Sequence, residues 1–141
     1  MALRILSLVG ALALLLGAPE DGRAQDEAVE QARTAAQEWL VMLDAQDYDG
    51  SWEACGALLK AAVSQEEWSA KLSVTLGPLG KAGSRGVRST EFSKTMPSAP
   101  DGEYVIVKLD TSFENKQTAV ETVVLRKEPD GAWRVSGYFI K

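Results

Sequence analysis

The chain contains no histidine and one cysteine, Cys55, in 141 residues. The first absence removes the commonest general base near neutral pH, the Ser/His and Cys/His nucleophile pairs, and nearly all zinc sites. The second removes any internal disulfide, so packing must hold the fold together. No basic run or acidic tail is present, and the formal net charge is −5. A mildly acidic surface does not suit nucleic acid, which needs clustered Lys and Arg, nor an anionic membrane surface. Gly77–Gly80 and Lys81–Gly86 carry glycines, but no strand is expected before them, as a phosphate loop requires. Glu66 and Glu67 lack calcium-loop spacing. No residue pattern asks for a cofactor or a metal.

The N-terminus has a different character. Arg4 precedes the apolar run Ile5–Leu16, which is too short to span a bilayer comfortably. Pro19 follows, and Gly22-Arg23-Ala24 places small residues where signal peptidase reads. The expectation is a cleaved signal peptide, residues 1–24, and a single domain, residues 25–141. An uncleaved N-terminal anchor is the alternative. No cysteine follows the apolar run to carry a lipid. Export to a bacterial periplasm or beyond is therefore expected, with no membrane segment after cleavage.

Three helices are expected next. Val29, Ala32, Ala36, Trp39, Leu40 and Leu43 recur at helical spacing across Asp26–Gln46, with Asp26 as the cap. A second helix is expected over Ser51–Ala62, with Trp52, Cys55, Leu58 and Leu59 as its stripe. Ser64-Gln-Glu-Glu67 before Trp68 is a capping box that opens the third. Gly77-Pro78 ends it. Gly80–Gly86 reads as loop, and Val87–Met96 as a polar edge strand or cavity wall.

The last forty residues read as three strands joined by two hairpin turns, giving a four-stranded antiparallel meander. Asp130-Gly131 is a turn signal that would pair Arg126 with Val135 and Val124 with Gly137. An Asn115-Lys116 tip would pair Leu109 with Thr122 and Val107 with Val124. One face then carries Val105, Val107, Leu109, Phe113, Val120, Val124, Trp133, Val135 and Phe139, and packs on the helices. The other carries Tyr104, Ile106, Val123, Leu125, Tyr138 and Ile140 among charged residues. Six large apolar side chains are too many for a wet face. A back-to-back homodimer is one reading; an internal pocket or cover by loops is the other.

Several stretches together resemble a known family. They include Trp39-Leu40 with Asp44, Ser51-Trp52, Ser64 to Trp68, Gly77-Pro78-Leu79-Gly80 with Arg85, Pro100 to Tyr104, Glu121-Thr122, and Asp130-Gly131-Ala-Trp133-Arg134 through Tyr138. The combination is similar to the bacterial family called domain of unknown function 4019 (DUF4019), from about residue 28 to 141. That family has no assigned activity, so no functional residue carries over. Helices followed by a meander also resemble the nuclear-transport-factor-2-like (NTF2-like) cone. That fold hosts isomerases, dehydratases and non-catalytic binding domains. No strand is expected between the second and third helices, which departs from the usual cone.

Under this register Asp110, Glu121 and Lys108 cluster on one face near Tyr104 or Tyr138. A carboxylate beside a phenol suits proton abstraction next to a carbonyl. Cross-strand ion pairing is the plainer reading. Arg85, Arg88 and Glu91 flank the expected cone mouth, as an anion grip or as structural ion pairs. Cys55 reads as a core residue, with an intermolecular disulfide or a reactive thiol as alternatives. The four tryptophans, Trp39, Trp52, Trp68 and Trp133, read as core packing or as an aromatic ligand box.

The function expected from these features is a non-enzymatic exported α+β domain. It would bind a small apolar or amphipathic ligand or an envelope protein, and pair with itself through the sheet. The candidate residues are Tyr104, Ile106, Asp110, Glu121, Val123, Leu125, Tyr138 and Ile140, with no catalytic residue assigned. The alternatives are an isomerase or dehydratase with a carboxylate base in the cone, and a purely structural envelope accessory.

Overall fold

The computed structural model describes residues 20–141. The expected signal sequence lies almost wholly outside them. Helix α1 spans Glu20–Asp44, so it starts before Asp26, and the expected cleavage point falls within its first turns. Nothing in Glu20–Gln25 interrupts a helix, and Asp26 is an interior residue rather than a cap. The buried stripe of α1 is Ala28, Ala32, Ala36, Trp39, Leu40 and Leu43. Three alanines bring the helix close to the sheet, and Trp39 fills the space that widens beyond them.

The expected second helix is two short ones, α2 (Tyr48–Glu53) and α3 (Ala57–Ala62). Gly56 separates them for a steric reason. A Cβ there would meet Glu128 Oε1 at 2.0 Å. Glu128 reaches across the fold to accept from Ala57 N at 3.0 Å, at the start of α3. Helix α4 spans Gln65–Leu76, and the Ser64 hydroxyl accepts from Glu67 N as the capping box requires. A 3-10 turn, Gly77–Leu79, closes the helical part.

The sheet is a meander in the order β1-β2-β3-β4: Ala82–Ser93, Tyr104–Phe113, Lys116–Lys127 and Trp133–Ile140. Strand β1 is an edge, as expected, but begins five residues earlier than Val87. No strand lies between α2 and α4 among the described residues.

The register corrects the sequence reading. The β2–β3 turn is Glu114-Asn115, not Asn115-Lys116. Asn115 is held there by its own N–H to Leu79 O at 2.9 Å and its side chain to Pro78 O at 3.0 Å. A bulge next to Phe113 then sets Leu109 opposite Glu121 and Val107 opposite Val123. Between β3 and β4, Val124 does face Gly137, but Leu125 faces Val135 and Arg126 faces Arg134. Ser136 is the extra residue of this second bulge.

One-residue shifts of this kind exchange the two faces. Val123 and Leu125 join Val105, Val107, Leu109, Trp133 and Val135 in the core, with Tyr138 and Ile140 packed against it. Val120, Val124 and Phe139 lie on the outer face instead, and Phe139 is 63% exposed. The apolar second face expected from the sequence therefore does not exist as a unit.

Candidate functional site

All four strands meet at one carboxylate, and α1 joins them through Arg85. Glu121, on the inner face of β3, is 1% exposed. It accepts from Arg85 Nε of β1 at 2.8 Å, from the Thr111 hydroxyl of β2 at 2.5 Å and from the Tyr138 hydroxyl of β4 at 2.5 Å. Arg85 uses its remaining nitrogens on Asp44, at the end of α1, at 2.8 and 2.9 Å. The two carboxylates thus share one guanidinium in a forked, charge-assisted arrangement.

Aromatic rings fill the cone behind this cluster. Trp39 lies between Tyr138 at 5.5 Å and Trp68 at 6.3 Å, both tilted. Ser51, fully buried, ties the indoles to α2. Trp39 Nε1 donates to Ser51 O at 2.9 Å, and Trp68 Nε1 to Ser51 Oγ at 3.0 Å. Ser51 Oγ donates in turn to Tyr48 O. Cys55 Sγ donates to Ser51 O at 3.1 Å from a 2% exposed position.

Burial, and then the charge of Glu121, push the Tyr138 hydroxyl far above the ordinary tyrosine range. Burial alone would lower Arg85, but its bonds to Asp44 and Glu121 outweigh that and raise it. Burial pushes the Cys55 thiol up to about 12, so it is a core thiol and not an activated nucleophile.

The room left inside the cone is about 30 Å³, between Leu43, Asp44, Tyr48, Arg85 and Glu121. That holds roughly two waters. A general base must reach its substrate proton, directly or through one water. Glu121 instead faces three donors from its own chain. Among the described residues, no group of His, Cys, Asp and Glu side chains is arranged to hold a metal.

The residues singled out from the sequence fall in two places. Glu121, Val123, Leu125, Tyr138 and Ile140 share the inner face. Tyr104, Ile106 and Asp110 belong to the outer one. The expected Asp110–Glu121 cluster is not formed, because Asp110 faces Val120 and pairs with Arg88 at 2.7 Å on the surface. Within their candidate group, Arg85 forms the buried ion pair and Arg88 the surface one. Asp44, Thr111 and Ser51 were missed. Asp44 lies four residues after Leu40 on the inner stripe of α1, a signal that was present in the spacing.

Several recesses open outside the cone among the described residues, and two of them have mainly apolar linings. A cleft of about 250 Å³ runs between α1 and β4, lined by Ala35, Met42 and Trp133 among others. Trp133 Nε1 is buried without a hydrogen-bond partner. The second recess, about 330 Å³, is an uncharged groove on the outer sheet face beside Phe139.

The architecture is that of an NTF2-like α+β domain. The chain is similar in structure to an NTF2-like protein from Streptomyces avermitilis provisionally described as a dehydratase. The TM-score is 0.54 at 16% identity, over 82% of this chain and 96% of that one. At that identity the likeness speaks for the fold. The chain belongs to the family described as protein of unknown function (DUF4019), whose model matches residues 35–138. No curated protein matches it.

Proposed function

We propose that this domain is a non-enzymatic binding module of an exported protein, with the cone serving as its core and the ligand met on the outside. The observation that carries this reading is the filled cone: about 30 Å³ of space, with Glu121 facing three internal donors. Small-molecule sites usually offer roughly 300 Å³ or more. The Arg4, Ile5–Leu16 and Ala24 pattern supports export. The purified protein is expected outside the cytoplasm with a mass that begins at Gln25; a cytoplasmic product retaining Met1 would remove that part. The binding part is tested by nuclear magnetic resonance titration with neutral apolar probes. Shifts are expected at surface residues. Shifts confined to Glu121, Thr111 and Tyr138 would overturn it.

The second reading is an isomerase- or dehydratase-type enzyme, favoured by the Glu121–Tyr138 pair inside an NTF2-like cone. It requires Arg85 to swing away and admit a substrate. Soaked crystals with density between Arg85 and Glu121 would support it.

A further inference from the structure

We infer that the outer groove beside Phe139 is the binding site for a small, neutral, apolar molecule. This rests on the binding-module reading and names its site and ligand class. One wall is α3, through Leu58 and Ala62; the other is the β1–β2 connection, through Pro97 and Pro100. Val124 and Gly137 form the floor, and the Phe139 ring closes one end.

The groove is built in advance of any ligand. Tyr104, fully buried, donates its hydroxyl to Pro100 O at 2.6 Å and pins the connection to the sheet. Gly102 N to Lys94 O at 3.0 Å closes the same segment at its base. Ser98, on the wall, holds a φ of 60°, a left-handed conformation that costs a non-glycine residue about 1 kcal/mol or more. The opposite wall is fixed by Gly56 N to Val135 O at 2.9 Å and by Glu128 at the start of α3. Glycine at 137 lets the Phe139 ring lie close against the floor. A Cβ there would lie 3.3 Å from Phe139 Cε2.

The lining decides the occupant. None of its residues is charged, so nothing pairs with an ionic group, and the part that enters must be neutral. A volume of about 330 Å³ is that of a small-molecule site. A second copy of the chain is the weaker fit. A stable interface covers roughly 800 Å² on each partner. Phe139 is the one exposed large apolar side chain on this face among the described residues, and Lys108 and Asp110 stand exposed along the same face.

The test uses N-phenyl-1-naphthylamine, a neutral dye whose emission rises in apolar surroundings, with the purified protein. Micromolar binding is expected. Phe139→Ser and Gly137→Val should each weaken it at least tenfold, with circular dichroism unchanged. Phe139 is exposed, so its replacement leaves the core intact. Glu121→Gln, at a temperature where circular dichroism shows it folded, should bind as the parent does. Absence of any dye binding overturns the groove as a site. Loss in Trp133→Phe with binding kept in both groove variants moves the ligand to the α1–β4 cleft; that overturns this inference but not the binding-module reading. Loss only in Glu121→Gln overturns both. A parent dimer that Phe139→Ser turns into a monomer in native mass spectrometry replaces the small molecule with a second copy.

Discussion

Tyr138 donates its hydroxyl to Glu121 Oε2 while its ring lies 5.5 Å from Trp39. One residue therefore ends the polar cluster and begins the aromatic filling of the cone. Its neighbour on the other side of β4, Phe139, has no such partners and faces solvent.

The cluster should behave as a stability element. Glu121→Gln leaves Arg85 with Asp44 but weakens its second ion pair, and places an amide against hydroxyl donors. A loss of about 2–3 kcal/mol is expected in urea unfolding, below the full penalty for stranding a buried ion because Arg85 keeps one partner. In a double-mutant cycle with Tyr138→Phe, the two losses should not add. Independent, additive effects would show that the two groups are not coupled.

Stability should fall at high pH. The folded Tyr138 holds its proton more tightly than the unfolded residue, whose ordinary value is 10.0. Its contribution is full below that value. It declines as pH rises above it, because only the unfolded chain then ionises. Unfolding midpoints measured from pH 8 to 11 should drop above pH 10 in the parent and drop less in Tyr138→Phe. Equal slopes in the two proteins would contradict this.

Cys55 should be inert in the native state. With the thiol raised to about 12 and 2% exposed, a disulfide reagent at pH 8 should react about a hundredfold more slowly with the folded protein than with the urea-unfolded one. Fast labelling of the native protein, or a covalent dimer under non-reducing electrophoresis, would place the thiol at the surface.

Ser51→Ala should destabilise more than its size suggests. It removes the acceptor for Trp68 Nε1 and leaves that indole unpaired in the core. A loss of about 1–3 kcal/mol is expected, read as a lower midpoint in thermal unfolding. A change near zero would mean that water replaces the hydroxyl.

Much of the fold was legible in the chain. The capping box at Ser64, the stripe ending at Leu43 and the strand–turn rhythm after Gly102 are local signals, and each is present, with the β2–β3 turn one residue earlier than the spacing suggests. Face assignment was not legible. It depended on the bulges beside Phe113 and at Ser136, and on the β2–β3 turn, which Leu79 and Pro78 fix from a distant part of the chain. No nearby residue announces a tertiary hydrogen bond. For that reason Glu121 and Tyr138 were grouped with Asp110, which lies on the opposite side of the sheet. The Arg85–Asp44 contact links residues forty-one positions apart and was equally hidden.

The bulge at Ser136 carries a consequence for how such chains can vary. It offsets the distal half of β4 by one position, so Tyr138 turns inward and Phe139 outward. Deleting Ser136 would leave a regular strand with both aromatics facing as they do, whereas drawing Ser136 into the ladder would exchange them. A phenol would then stand over the outer groove, and a bare ring would sit where Glu121 needs a donor. Along this strand, whether one serine stands inside or outside the ladder decides which ring meets the core and which meets solvent.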